Sequence, residues 1–387
     1  MSSSARVPLS GVRDLLLPGQ PVPFSVYDGE GRLLLAKGQP ILNVEQLQSL
    51  LQRGASVQPE DAEAVRAARQ AAVKGAGFTP STRRLTLFDH WEKQVWGLDR
   101  ALRLVGRDTQ QAPTLLAQVD ELLALINSHA DAALFVAVRQ DDHRYALYGL
   151  AHSVHTAVVA MLCARQLGWD TARVQSVAAA ALTMNVSMLE LQATMAEQKD
   201  PPTKKQLDVI RTHTERSAQM LRISGVADEE WLAAVTDHHE RSDASGYPRG
   251  VAEVGETARL LRVCDVFMAK ISPRAFRTPM GPQAAARQLF QEEKGGPLAA
   301  ALIQALGVHP PGDFVLLKNG EIGVVTHRGA SPTTPRVVVL LDAGGRAVSG
   351  TVVRDTAAPG FGVAGVPPLQ TKLPRVLPER VYGLVYV

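Results

Sequence analysis

The sequence predicts a multidomain, mainly α-helical protein with a small α+β module at its amino end and a small β-barrel or meander at its carboxyl end. A length of 387 residues suits two or three domains. Apolar residues recur at helical spacing through the middle of the chain, whereas hairpin signals lie near its two ends. A hydrophobic fraction of 45% and a charged fraction of 20% are those of an ordinary globular protein.

The amino-terminal α+β module is predicted over residues 1–75. Apolar residues precede Asp28-Gly29 and Leu33-Leu34-Leu35 follows, and Asp-Gly between apolar runs is a strong hairpin signal. A helical linker or helical hairpin is predicted over 76–139, because apolar residues from Leu115 to Ile126 have three-and-four spacing. Such a stripe packs in a core, and we assign it no chemistry.

The central domain is predicted over 140–306 as an all-α domain that contains most of the histidines. After Gly307 the character of the sequence changes. Asn319-Gly320 and Gly344-Gly345 each stand between short apolar runs, which predicts a β-rich module over 307–387.

Several features favour a cytoplasmic protein without a membrane span. Cys163 and Cys264 sit in apolar helical patterns without a CxxC partner, as small core residues of a reduced compartment do. The first ten residues lack the apolar core of a signal peptide, and no stretch has the roughly 18 uninterrupted apolar residues of a spanning helix. A net charge of +3, with the basic residues scattered, gives no indication of nucleic-acid binding.

Isolated histidines of the central domain are ambiguous. His152 opens a helix with the apolar residues Val154 and Val158, and His155 follows one turn later as a competing candidate. His213 lies at the border of an apolar helical face. Because a lone histidine beside such a stripe is more often a hydrogen-bonded core residue than a metal ligand, neither region indicates a site on its own.

The segment DHHERSDASGYPRG, from Asp237 to Gly250, is more informative. Adjacent histidines point about 100° apart on a helix, so His238 and His239 bind one metal only where the helix ends or two ligand faces meet. The turn Gly246-Tyr247-Pro248 follows closely and supports such a helix end. The alternative is a polar helix terminus that faces solvent.

Asp265 is the most informative single carboxylate. It stands between Leu261 and Met268 in a mostly apolar helix. A carboxylate in that setting must be exposed, paired, hydrogen-bonded or metal-bound, because burial of an unpaired charge is costly. An ion pair with Arg262 or Arg259 is the simple alternative to metal binding.

Together these residues resemble the signature of the HD-GYP family, metal-dependent phosphodiesterases that open the bacterial messenger cyclic di-GMP. The family presents, in order, a histidine, a His-Asp pair, a histidine, two adjacent histidines and an aspartate. The corresponding positions here are His152, Met184-Asn185, His213, His238-His239 and Asp265. The resemblance implies an HD-type helical fold for the central domain. It also implies ligand-binding roles for Tyr247, Pro248, Arg274 and Arg277, the two arginines lying near the ligand phosphates.

The sequence departs from the family at the His-Asp pair, whose aspartate bridges two metal ions and whose histidine binds one. Met184 offers only a thioether, and Asn185 offers a carbonyl oxygen without charge. Met188 stands where the family has a lysine near the phosphate, and Ala244 stands where it has a glycine. We therefore expect weak or absent catalysis. The expected metal ligands are His152, His213, His238, His239 and Asp265.

Three functions stay open. The first is a catalytically degenerate HD-GYP protein that binds cyclic di-GMP or a related nucleotide and docks a partner such as a diguanylate cyclase domain. The second is a working phosphodiesterase in which His213, His238, His239 and Asp265 hold an altered metal site. The third is a purely structural or regulatory HD-type module. The resemblance implies iron or manganese, and the substituted positions reduce the expected content to one transition metal ion.

Overall fold

The structure is a computed structural model that describes residues 6–75 with several short gaps, 86–140, 147–374 and 376–383. The chain divides into two compact units, Met1–Arg83 and Arg84–Val387. The finer domain boundaries expected within the second unit stay predictions. Labels below number the described strands and longer helices in chain order.

The first unit is a small α+β module. Its elements are β1 (Val7–Pro8), a 3-10 helix (Leu9–Leu15), β2 (Val26–Tyr27), β3 (Leu33–Leu35), β4 (Ser56–Val57) and α1 (Pro59–Gly75). The strands form an antiparallel sheet in the order β1-β4-β2-β3. The hairpin predicted around Asp28-Gly29 is present, with Val26 opposite Leu35. Phe24 and Val57 are fully buried in its apolar core.

The second unit is mainly helical. Its helices are α2 (Leu87–Leu102), α3 (Ala112–Arg139), α4 (Tyr148–Gln166), α5 (Thr171–Thr183), α6 (Leu189–Glu197), α7 (Lys204–Ile223), α8 (Glu229–Asp237), α9 (Glu256–Ile271), α10 (Pro282–Glu292), α11 (Pro297–Leu306) and the short α12 (Pro378–Tyr382). A 3-10 turn, Val186–Met188, joins α5 to α6. Helices α2 and α3 lie within residues 76–139, where a helical linker or helical hairpin is predicted.

Helix α4 is the centre of this unit, because nearly all of its residues are buried. It packs against α3, α5, α9 and α11. A run of four buried alanines, Ala178–Ala181, gives α5 a thin face where it contacts α4. Cys163 and Cys264 are free and fully buried in the same core, in agreement with their predicted packing role.

Two helical stretches are long and apolar enough to cross a membrane by length and composition alone. They are Ala112–Arg139 and Thr171–Glu197. Half of the first apolar window and 72% of the second are buried within the fold. Their apolar residues belong to the same core cluster as α4, so the fold accounts for their hydropathy.

Local caps set the start of the helices that carry the histidines. Thr203 and Gln206 form a capping box at the first turn of α7, which contains His213. The Asp228 carboxylate accepts the Trp231 N–H at the start of α8, which ends at His238. These caps fix where each helix begins, and hence which face each histidine takes.

The carboxyl-terminal module is a five-stranded antiparallel sheet. Its strands are β5 (Phe314–Leu317), β6 (Ile322–His327), β7 (Arg336–Leu341), β8 (Val353–Asp355) and β9 (Val363–Gly365), in the order β8-β7-β6-β5-β9. The predicted hairpin at Asn319-Gly320 joins β5 to β6. Phe135 of α3 shares an apolar cluster with Val324 and Val338, so this sheet packs on α3. Gly312 lies at that contact with a φ of 94°, and a Cβ there would lie 2.8 Å from the Phe135 carbonyl oxygen.

Candidate metal centre

The candidate site is assembled from five helices. His152 comes from the first turns of α4, Asn185 follows α5, and His213 lies within α7. His238 caps the end of α8, and His239 comes next, while Asp265 lies in the middle of α9. The site has two halves, one formed by three imidazoles and the other by His152 and Asp265.

The three imidazoles of His213, His238 and His239 form a cluster. One ring nitrogen from each lies within 4.8 Å of the others. His213 and His238 are fully buried, and their Nε2 atoms are 3.4 Å apart. That separation matches two nitrogens that bind one ion at about 2.1 Å with a near-tetrahedral angle.

The hydrogen bonds of this cluster favour a cation between the rings. His213 Nδ1 is 2.6 Å from the Ile210 carbonyl oxygen, and His238 Nδ1 is 2.8 Å from that of Val235. Each Nδ1–H therefore donates to the backbone, which leaves a lone pair on each Nε2. Two lone pairs that face each other repel unless a cation lies between them.

That cation is not a proton under ordinary conditions. Burial, reinforced by the neighbouring His238, lowers the pKa of His213 to about 3. Burial also lowers the pKa of His238. Both rings are therefore neutral at pH 7 and ready to bind a metal ion, since only the neutral ring is a ligand. The donor set fits one transition metal ion.

In the second half of the site, His152 and Asp265 are hydrogen-bonded to each other. His152 Nε2 and Asp265 Oδ1 are 2.6 Å apart, and both residues are buried. Burial alone raises the pKa of the Asp265 carboxyl, but the His152 hydrogen bond and the neighbouring imidazoles hold it well below its usual range. His152 Nδ1 has no hydrogen-bond partner within the described residues. The expected alternative of an Asp265 pair with Arg262 or Arg259 is wrong: within the described residues Asp265 pairs with His152, and Arg262 pairs with Glu293.

The competing candidate His155 lies elsewhere. Its ring stacks on Trp91, with centroids 6.4 Å apart, and it does not line the cavity described below. His152 instead stacks on Tyr148 at 5.6 Å. The packing of α4 therefore presents His152, and not His155, to Asp265.

Met184 and Asn185, the residues expected at the His-Asp position, face different surroundings. Met184 is fully buried within the apolar core cluster. Asn185 is 2% exposed, lines the cavity, and has a side-chain oxygen without a hydrogen-bond partner among the described residues. An amide oxygen thus lies at this wall, and it brings no negative charge.

A cavity of about 350 Å³ adjoins both halves of the site. Its polar lining includes Tyr148, His152, Asn185, Gln192, His239, Tyr247, Asp265, Lys270, Arg274 and Arg277. Lys270 is 3.1 Å from Glu292, but neither arginine forms an ion pair within the described residues. Arg274 donates to the Tyr148 hydroxyl oxygen, and Arg277 donates to the Ala269 carbonyl oxygen. Burial and the charge of Arg274 lower the pKa of Arg277, as expected for two cations without a counter-anion.

The Gly-Tyr-Pro loop is built around a buried carboxylate. Glu240 is fully buried and accepts the backbone N–H groups of Arg249, Gly250 and Val251 at 2.7, 3.2 and 3.1 Å. A Cβ at Gly246 would lie 2.5 Å from the Glu240 Cα, so only glycine fits where the loop crosses the histidine segment. These contacts hold the loop on its present path.

Comparisons with known proteins agree with a helical HD-type domain in this part of the chain. A family model described as HD domain matches residues 127–295. The chain is 29% identical over 242 residues to the cyclic di-GMP phosphodiesterase PA4108 of Pseudomonas aeruginosa, a match that covers 61% of this chain and 57% of that protein. It is 28% identical over 136 residues to the 3'3'-cGAMP-specific phosphodiesterase 3 of Vibrio cholerae, covering 34% and 29% of the two chains.

A solved structure gives the same fold. Bd1817, a HDG"Y"P protein from Bdellovibrio bacteriovorus, superposes with a TM-score of 0.51 at 17% identity, over 77% of this chain and 97% of that one. The central helical domain is an HD domain, and its relatives support membership of the HD-GYP family. The chain spans less than two thirds of the length of the curated relatives it matches.

Sequence reasoning missed two structural features of the HD-GYP domain. Tyr148 lies one turn before His152, stacks on its ring and holds Arg274, and that one-turn spacing was its only available signal. Glu240 anchors the loop, although its position beside two histidines suggested only a polar helix end. Tyr247 stacks on His239 at 4.6 Å and lines the cavity, whereas Pro248 does not line it.

Proposed function

We propose that this protein binds a cyclic dinucleotide such as cyclic di-GMP and acts in cyclic di-GMP signalling as a catalytically degenerate receptor or docking partner. The observation that carries the proposal is Asn185. Its uncharged amide lines the same cavity as Arg274 and Arg277, which have no acidic partner among the described residues. The family resemblance implies a bridging carboxylate at this position. The site thus combines a missing metal bridge with a retained anion-binding wall.

The missing charge argues against an ordinary two-metal centre. Two divalent ions about 3.5–4 Å apart repel each other by roughly 18 kcal/mol at an effective dielectric of about 20. A carboxylate between them offsets much of this repulsion, and an amide does not. Met184 cannot replace the histidine, because its side chain is packed in the apolar core.

The part of the cavity lined by Arg274 and Arg277, here called the arginine wall, suits an anionic ligand. Arg274 and Arg277 follow each other closely in the loop after α9, and both line the cavity. The Tyr148 hydroxyl orients the Arg274 guanidinium group. Guanidinium groups bind phosphate oxygens with paired N–H donors, so this wall suits a phosphodiester.

We propose that His213, His238 and His239 hold a single ion. An all-imidazole set suits iron better than manganese, which prefers oxygen ligands. The ion would supply a Lewis acid that lowers the pKa of a coordinated water toward 7. It would also fix the ring of His239, which stacks on Tyr247, and so favour the present path of the Gly-Tyr-Pro loop. A diguanylate cyclase domain is the partner that we propose for this loop.

The intact imidazole cluster favours one second candidate, a phosphodiesterase that works with an altered metal site. In this function Arg274 and Arg277 would position the phosphodiester, and Asp265 and His152 would handle protons beside it. One ion can activate water without a second one, which makes slow turnover compatible with the residues present.

Metal content and cyclic di-GMP turnover, measured in parallel on the purified full chain, separate these functions. We expect at most one transition metal ion per chain, binding of cyclic di-GMP by calorimetry at physiological salt, and no measurable hydrolysis. Turnover that depends on the ion would establish the second candidate. Absence of nucleotide binding would contradict both and leave a structural module.

A further inference from the structure

Gln192 of α6 is a polar residue of the cavity wall that the metal site does not use. It is 7% exposed and lines the cavity. Its carboxamide makes no hydrogen bond within the described residues, and its Oε1 atom is shielded from water. An unpaired buried amide lowers the free energy of unfolding by about 1–3 kcal/mol. Gln192 therefore destabilises the free protein unless a ligand pairs with its amide.

The position of Gln192 relates it to the arginine wall. A Cβ at Gly149 would lie 2.8 Å from Gln192 Oε1, so the glycine leaves room for the amide. Gly149 follows Tyr148, whose hydroxyl oxygen accepts from Arg274. At the end of α6, the Ala196 carbonyl oxygen accepts the Ala275 N–H at 2.8 Å. Helix α6 and the loop that carries Arg274 and Arg277 therefore form one continuous wall of the cavity.

The neighbours of Gln192 on this wall are apolar. Met188, the N-cap residue of α6, and Met195, which follows Gln192 by three residues on the same face of α6, also line the cavity. Thioether side chains are flexible and make favourable contacts with aromatic rings. This part of the cavity wall therefore presents two methionine side chains on either side of the Gln192 carboxamide.

We propose that Gln192 reads the edge of a purine base of the bound cyclic dinucleotide, while Met188 and Met195 contact the face of that base. This inference rests on the proposed nucleotide-binding function. A carboxamide carries a donor and an acceptor side by side, as the edges of guanine and adenine do. A phosphate offers acceptors alone, and the arginines already supply donors for it. Rotation about the last torsion of glutamine is soft, so either end of the amide can meet the base.

Calorimetry on the full chain tests this assignment with two probes, cyclic di-GMP and ribose 5-phosphate, which has no base. Gln192→Leu keeps the approximate volume and removes both hydrogen-bonding groups. We expect it to weaken cyclic di-GMP binding about tenfold or more and to leave ribose 5-phosphate binding unchanged. Arg277→Ala should weaken both. The control Gln175→Leu changes a half-buried glutamine of α5 that donates to Asp120 and does not line the cavity, and it should change neither.

Thermal unfolding of the free protein supplies a second measurement. Because Gln192→Leu removes an unpaired buried amide, its Tm should equal or exceed that of the wild type. A clearly lower Tm would identify Gln192 as a structural residue and overturn the inference. Equal cyclic di-GMP affinity in wild type and variant, or equal losses for both probes, would also overturn it. A wild-type protein that does not bind cyclic di-GMP overturns the proposed function as well.

Discussion

The two halves of the candidate metal centre differ in how they accommodate the absence of a carboxylate at Asn185. His213, His238 and His239 keep their ring nitrogens together without an anion. Hydrogen bonds to backbone carbonyl groups of α7 and α8 orient the rings of His213 and His238. His152 and Asp265 instead satisfy each other through a 2.6 Å hydrogen bond. A cluster of neutral ligands can thus survive substitution of a bridging residue. A charged ligand without its second cation finds a partner within the protein.

The first and largest test removes a ligand from the imidazole half. His238→Ala should lower metal affinity by more than 100-fold, since loss of a residue that only supports a ligand already costs about 10–100-fold. Metal content after dialysis, measured by elemental analysis, checks this. The control His90→Ala changes a histidine of α2, which contributes nothing to the cluster, and should retain the wild-type content. Equal metal content in both variants would contradict the assignment.

The matching change in the other half should affect stability and not metal content. His152→Ala leaves the Asp265 carboxylate buried beside an empty space, which should cost about 3 kcal/mol in the free energy of unfolding. Urea denaturation at pH 7 measures the cost. If His152→Ala also strips the ion, the two halves form one metal site and the contrast drawn here fails.

Restoring a carboxylate at position 185 should allow both halves of the site to bind metal together. Asn185→Asp is expected to bind a second ion at least tenfold more tightly than the wild type, with cyclic di-GMP hydrolysis as the sign of a working pair. Metal titration and turnover assays check it, and Asn319→Asp, in the β5–β6 turn, is the matched control. Adding Met184→His should lower stability, because Met184 is packed in the apolar core. A variant that gains neither metal nor activity would show that Asn185 is misassigned.

The fourth comparison is a difference in pH dependence between the halves of the metal-free protein. The pKa of His213 falls from about 6.5 in an unfolded chain to about 3 in the fold. Between these values the unfolded chain binds a proton that the folded chain does not. Stability is therefore full above about pH 6.5 and falls by about 1.4 kcal/mol per pH unit per histidine below it.

Asp265 acts in a lower pH range. Its pKa is lowered in the fold, so its contribution is present above the usual carboxyl pKa and is lost only as the pH falls below that value. Urea unfolding of chelated protein between pH 7 and pH 4.5 should show the histidine slope, and His213→Gln should make it shallower. A slope unchanged by that substitution would mean that other groups titrate.

Local patterns in the sequence predicted much of the fold. Asp28-Gly29 and Asn319-Gly320 each join antiparallel strands, because turn residues between apolar runs act over a few positions. Helical periodicity predicted α2 and α3 for the same reason. The five-stranded arrangement in which β9 pairs with β5 has no such local signal, since it depends on contacts between distant segments.

The site was less predictable because its contacts are long-range. His152 and His155 lie on one buried helix, and only the packing of α9 and Trp91 decides which of them meets Asp265. The apolar surroundings of Met184 and the pairing of Arg262 with Glu293 likewise depend on tertiary structure. The family resemblance supplied the order of the ligands, whereas the closed His152–Asp265 pair follows from the fold alone.

The carboxylate of Glu240 has an implication for how such a domain changes over time. The carboxylate accepts hydrogen bonds from three consecutive backbone N–H groups and so holds the loop after the histidines in place. None of the residues in these contacts is an expected metal ligand. Substitutions at ligand positions can then remove chemistry while the architecture endures. A protein of this fold can therefore lose hydrolytic activity during evolution and still keep the loop surface that its partners bind.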